Sequence, residues 1–288
     1  MKKLMIIGSV HTELLTHVKA LPKGNEEAEI LSVSQQVSGG GYRSAAVFQS
    51  LGFPCDVICD PGEGVYGAYA RQEALKINLE LPEGSEETGG CTYRMIDPRG
   101  NDAVFCVDGS EYHFSLAQIY DIDPADYGAI AVYSEMLAGD YADELIEALR
   151  EIELPLYVIW GTRAQEVYNE TLEALADLSP VMILDERDAE ELTGRKKNAE
   201  ETAASLAEIT KEAVLLLSDE GVLYNDGEDA WVAPCKVKPE REVYAAYYIA
   251  SQMAGADKKN GMMFAAEAGE HKDPSRMKER LAGMILHR

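Results

Sequence analysis

Apolar residues in this chain follow two rhythms. Leu4 to Ile7, Cys55 to Cys59, Ala129 to Tyr133, Leu156 to Trp160, Val181 to Leu184 and Val214 to Leu217 are short unbroken runs, the pattern of strands buried on both faces. Between them, apolar positions recur at helical spacing in Tyr66 to Lys76, Tyr141 to Ile152, Glu166 to Leu175 and Ala199 to Ile209. Strand and helix in alternation predict an α/β fold with a mostly parallel sheet. Two segments depart from this rhythm. Glu29 to Val37 partly alternates, as on a flap strand with one wet face. Thr88 to Val107 holds two strand-like pieces joined by Asp97, Pro98, Arg99 and Gly100, a hairpin signal, and that hairpin is expected to pair with the flap. With no internal repeat, low-complexity tract or linker, a single domain over residues 1–288 is expected.

The stretch with most chemical content is SGGGYRSAAVFQSLG, Ser38 to Gly52. Gly39, Gly40 and Gly41 let a ligand approach bare backbone, and Ala45, Ala46, Phe48 and Leu51 continue at helical spacing. A loop entering a helix presents free amides and a positive dipole end, which suits an anion or a hydroxyl-rich ligand. Just past the first apolar run, at the edge where parallel sheets place ligands, stand His11 and Glu13.

Composition narrows the partners. Lys and Arg number 26 against 51 Asp and Glu, and a net charge of -25 opposes both nucleic acid and an anionic membrane surface. The apolar run in MKKLMIIGSV is too short for a signal peptide or a membrane span, so a cytoplasmic protein is expected. Five cysteines without a CxxC pair read as reduced thiols, and five scattered histidines make a protein-held transition metal improbable.

Together these motifs resemble the PfkB family of ribokinase-like sugar and nucleoside kinases, over nearly the whole chain. MIIGSVHTELL resembles the family's first strand and substrate-binding acid, with Glu13 for the usual aspartate. SGGGYRSAAVFQSLG resembles the amino-terminal signature, with Arg43 at its asparagine. TGGCTYRMIDPRGN resembles the lid hairpin, and ILDERDAEELTG (183–194) the Asn-x-x-Glu segment that serves magnesium and phosphates. The resemblance implies a ribokinase-like three-layer sandwich with a small β lid from roughly residues 13–37 and 88–107. It further implies ATP and Mg2+ as partners, a small polar sugar or nucleoside ligand, and a homodimer joined through the lid. Ligand contacts are expected at Glu13, Gly39, Gly40, Gly41 and Arg43, and Arg43 suggests a ligand bearing a carboxylate or phosphate. Asp185 and Asp188 fall on the two polar positions of the magnesium segment, Asp188 being the metal ligand.

Departures gather at the phosphate end. In the Asp-x-Asn-x-Arg stretch only Arg163 is kept, because Ile159 and Gly161 take the other positions. The Thr-x-Gly nucleotide segment reads Leu216, Leu217, Ser218. Setting YYIASQM against the helix after the Gly-Ala-Gly-Asp signature puts Val243, Tyr244, Ala245 and Ala246 on those four positions. The catalytic base would then be absent and phosphoryl transfer impaired or lost, and ATP and Mg2+ would both be opposed. A shift of a few residues brings Glu240 or Glu242 to the base instead. Two other readings compete: a non-catalytic small-molecule-binding or regulatory protein on the same scaffold, and a dinucleotide-dependent oxidoreductase. The second rests on Gly39, Gly41, Ser44 and Asp60, but its third glycine is missing and Ile30 to Val37 is no buried parallel strand.

Overall fold

The apolar runs become the strands of one sheet. The computed structural model describes residues 1–288 apart from 140, 162, 195–197, 271–273, 287 and 288. β1 (Lys3–Ile7), β4 (Cys55–Ile58), β7 (Tyr127–Tyr133), β8 (Leu156–Ile159), β9 (Val181–Asp185) and β10 (Val214–Ser218) pair in parallel. β11 (Gly221–Asn225) and β12 (Ala230–Pro234), which the apolar runs did not announce, extend the sheet antiparallel, giving the order β12-β11-β10-β9-β8-β7-β1-β4.

Alternation along the strands divides the core in two. Leu4 and Ile6 of β1 point into one cluster, Met5 and Ile7 into the other, and all four are fully buried. The first cluster packs against α1 (Gly40–Leu51), α2 (Gly64–Lys76), α8 (Arg241–Met253), α9 (Lys258–Glu270) and α10 (Pro274–Leu286). The second packs against α3 (Leu116–Tyr120), α4 (Ala142–Ile152), α5 (Asn169–Ala176), α6 (Glu186–Thr193) and α7 (Ala199–Thr210). Helices on both faces make three layers, as the resemblance implies, around the mostly parallel sheet that the sequence pattern predicts.

A second sheet stands at one end, ordered β3-β2-β5-β6, from β2 (His11–Val18), β3 (Ile30–Ser38), β5 (Cys91–Ile96) and β6 (Asp102–Val107). Gly100, at φ 83°, closes the β5–β6 hairpin by donating its amide to the Asp97 carbonyl at 2.9 Å. His11 and Glu13 lie on β2. Two expectations are corrected here. The hairpin pairs with β2 in parallel and not with β3, so this sheet is mixed. β3, at the edge, is exposed on both faces from Ile30 to Gln36, where one dry face was expected.

Candidate functional site

A cavity of about 200 Å³ opens between the end of β1, the amino terminus of α1, the second sheet and the first turn of α8. Its wall includes Glu13, Gly39, Gly40 and Arg43 from the expected set, joined by Ser9, His11, Thr92, Arg94, Arg241 and Glu242.

The glycines build the floor mainly by close packing. Gly39 sits at φ 105° and ψ 154°, a conformation open essentially only to glycine, and a Cβ there would fall 2.3 Å from the Ser9 carbonyl oxygen. Gly40 would carry its Cβ into the Tyr133 ring, and Gly41 into the Gly8 carbonyl. Gly40 and Gly41 are the first residues of α1 rather than part of a loop, and Gly41 donates its amide to Ser9 O at 3.0 Å, so Gly41 is a packing residue that does not line the cavity. Gly39→Ala is therefore expected to lower stability by about 2–6 kcal/mol, the sum of backbone strain and overpacking, measured by urea denaturation.

Glu13, on β2, is buried with both oxygens engaged: Arg94 Nε donates at 3.0 Å and Gln36 Nε2 at 2.5 Å. Burial pushes its carboxyl up, the Gln36 and Arg94 hydrogen bonds outweigh that, and the group stays below its ordinary value. Beside it, burial drives the His11 imidazole down to about 4, so it is neutral near pH 7. Its Nε2 lies 3.1 Å from Thr92 Oγ1, while Nδ1 is buried without a partner. A neutral imidazole next to an ionised carboxylate suits hydroxyl groups. Arg43 projects from the first turn of α1, and its nearest acceptors are distant for a guanidinium: Ser38 Oγ at 3.4 Å, Glu240 at 3.8 Å and Glu242 at 3.9 Å.

At the opposite wall, α8 begins earlier than the sequence alignment assumed. Arg241 is its first residue, so Val243, Tyr244, Ala245 and Ala246 lie within the helix and do not form an anion-binding loop ahead of it. Tyr244, Ala245 and Ala246 are buried in the core, and Tyr244 stacks on Tyr248 with ring centroids 6.4 Å apart. The carboxylate of α8 that lines the cavity is Glu242, with its side chain 17% exposed. Burial raises its carboxyl, but the Arg241 guanidinium, its own amide and Arg43 reverse this and hold it below its ordinary value. The N-cap residue Glu240 makes no side-chain bond to α8, and the amide of Glu242 is taken up by its own carboxylate.

The remaining expected residues are committed elsewhere. Ser218 closes the β10–β11 turn, donating to Gly221 O at 3.0 Å and accepting from Glu220 N at 3.2 Å, while Leu216 and Leu217 are core residues of β10. Asp185 and Asp188 flank the start of α6, but Arg241 Nη1 lies 3.0 Å from Asp185 Oδ2 and 2.9 Å from Asp188 Oδ2, and Lys238 Nζ is 2.9 Å from Asp185 Oδ1. Asp188, the expected metal ligand, thus faces Arg241, and acids already neutralised by two cations do not fit a magnesium ion. Among the described residues, no group of three or more His, Cys, Asp or Glu side chains is arranged to hold a metal ion. Arg163 stacks over the Tyr112 ring at 4.7 Å and pairs with Glu166 at 2.6 Å. Among the described residues no helix is long and apolar enough to cross a membrane.

Residues 1–244 match the pfkB family carbohydrate kinase model, and the chain belongs to that family. No curated protein matches it by sequence. Its fold is similar to that of the ribokinase of Thermotoga maritima, with TM-score 0.78 and 16% identity over 99% of this chain and 100% of that one. The Arabidopsis thaliana ribokinase complexed with ribose and ATP gives TM-score 0.76 and 17% identity, covering 99% and 98%. The nucleoside kinase of Methanocaldococcus jannaschii gives 0.72 and 13%, covering 100% and 99%.

Proposed function

We propose that the protein transfers a phosphoryl group from ATP to a hydroxyl of a small sugar-like acceptor that carries a carboxylate or phosphate. The observation that carries this reading is Glu242, an ionised carboxylate in the first turn of α8 facing the same cavity as Glu13 and Gly39. In that reading Glu13 and neutral His11 orient acceptor hydroxyls, and Arg43 receives the acceptor's anionic group. Glu242 takes the proton of the reacting hydroxyl as its oxygen attacks the terminal phosphorus and the bond to the ADP oxygen breaks. The positive end of the α8 dipole faces the charge on the moving group. The test is ADP release with ATP across neutral sugars, sugar acids, sugar phosphates and nucleosides. Turnover confined to acidic acceptors supports the reading, and turnover on neutral ones alone removes Arg43 from it.

A charge-assisted hydrogen bond is worth about 1.5–3 kcal/mol, so Arg43→Ala is expected to raise KM for the acidic acceptor roughly ten- to a hundredfold with kcat little changed. Steady-state kinetics on the two proteins check this.

One observation favours a second reading, binding without transfer: Arg241 Nη2 holds Glu242 Oε1 at 3.0 Å and competes with its use as a base. A thermal shift with acidic sugars and no ADP release would select it, since ligand at 100 times Kd adds about 2.7 kcal/mol. The exposed apolar side chains of the second sheet, among them Ile30, Leu31, Val33 and Phe105, suit a homodimer joined through that sheet, placed in the cytoplasm. Sedimentation equilibrium is expected to show twice the monomer mass, falling toward 31.6 kDa in Val33→Glu.

A further inference from the structure

The charge at the Asp185–Asp188 pair is provided by the chain itself. Arg241 Nη1 sits between Asp185 Oδ2 and Asp188 Oδ2 at 3.0 and 2.9 Å, its Nη2 reaches Glu242 Oε1 at 3.0 Å, and Lys238 covers the other Asp185 oxygen at 2.9 Å. These groups are well enclosed, with side-chain exposures of 15% for Arg241, 13% for Asp188 and 23% for Asp185. Gly161 makes room for the guanidinium, since a Cβ there would fall 1.9 Å from Arg241 Nη2. A hard divalent cation needs carboxylate lone pairs free of competing cations. Here three of the four oxygens of the pair already face a cation, and an ion placed there would lie against a fixed positive charge in a partly desolvated site.

We infer that Arg241 closes the Asp185–Asp188 pair to Mg2+, its guanidinium standing between the two carboxylates in the place of the divalent ion. The closure to metal stands apart from phosphoryl transfer, because the acid pair is occupied whether or not the protein turns over.

The probe is Mn2+ alone, followed by electron paramagnetic resonance of the free ion, with no nucleotide present. Wild type and Asp188→Asn are expected to bind it equally weakly. Arg241→Gln, which removes the charge but keeps a long polar side chain, is expected to bind about tenfold or more tighter, the scale on which a neighbouring group tunes a metal site. Adding Asp188→Asn to Arg241→Gln is expected to abolish the gain. Arg241→Lys, which keeps the charge, is the control if loss of the buried cation unfolds the protein, and it should match wild type. Mn2+ held by wild type and released by Asp188→Asn would overturn the inference, as would a folded Arg241→Gln that binds no better than wild type. Failure of the kinase reading would appear separately, as absent ADP release, and leaves these metal-binding results unchanged.

Discussion

Glu242→Gln will leave the protein folded and lower phosphoryl transfer to its best acceptor by about a hundred- to ten-thousandfold, the contribution of a positioned general base. The substitution keeps side-chain volume and a hydrogen-bond acceptor for Arg241, and Arg241 retains Asp185 and Asp188 as partners. What is lost is the ability to take a proton, so the decrease belongs to kcat and KM should change little. The same carboxyl sets a pH dependence. Its value in the folded protein is held below the ordinary carboxylate range, so the base form is present at neutral pH and disappears only as pH falls through that lowered value. The acid limb of the rate profile is thus expected below the limb that an unperturbed glutamate would give. Circular dichroism and the pH profile of kcat separate this from unfolding.

Ala246→Asp, the substitution that would restore an aspartate if Ala246 held the catalytic position, is expected to add no activity and to destabilise the fold. Ala246 is fully buried in the first core cluster beside Ala245 and Tyr247, in the second turn of α8. An unpaired carboxylate placed there loses its hydration with no cation to replace it, or must stay protonated, and the added volume overpacks an alanine-sized space. Uncompensated buried charge costs about 3–5 kcal/mol, a large part of the 5–15 kcal/mol that holds a typical domain together. Thermal unfolding should show a much lower Tm for this variant, with any residual folded fraction no faster than wild type.

These two variants mark where the sequence was readable and where it was not. The runs Leu4 to Ile7 and Val214 to Leu217 needed only their own periodicity, because a strand covered by helices on both faces is apolar at every position. β2 was not legible as a strand. His11, Glu13 and His17 interrupt its apolar positions, and it follows β1 after only Gly8, Ser9 and Val10, without the punctuation that separates elements. The start of α8 was misplaced for a different reason. YYIASQM is the strongly apolar part of the helix, and the resemblance was registered on it, yet the first turn is polar because it faces the cavity. Pro239 followed by Glu240, Arg241 and Glu242 carries a recognisable start signal, a proline ahead of an acidic first turn. Weighting that signal brings Glu242 to the cavity. Arg241 could not be found from spacing at all, since its role depends on Asp185, Asp188 and the missing side chain at Gly161, more than fifty residues away in each case.

The most direct measurement is ADP release at saturating acidic acceptor, with wild type and Glu242→Gln assayed side by side. Clear turnover by wild type and a loss of at least about a hundredfold in the variant are expected. Equal rates in the two proteins, or a wild type that binds acidic acceptors yet releases no ADP with any of them, would contradict this expectation.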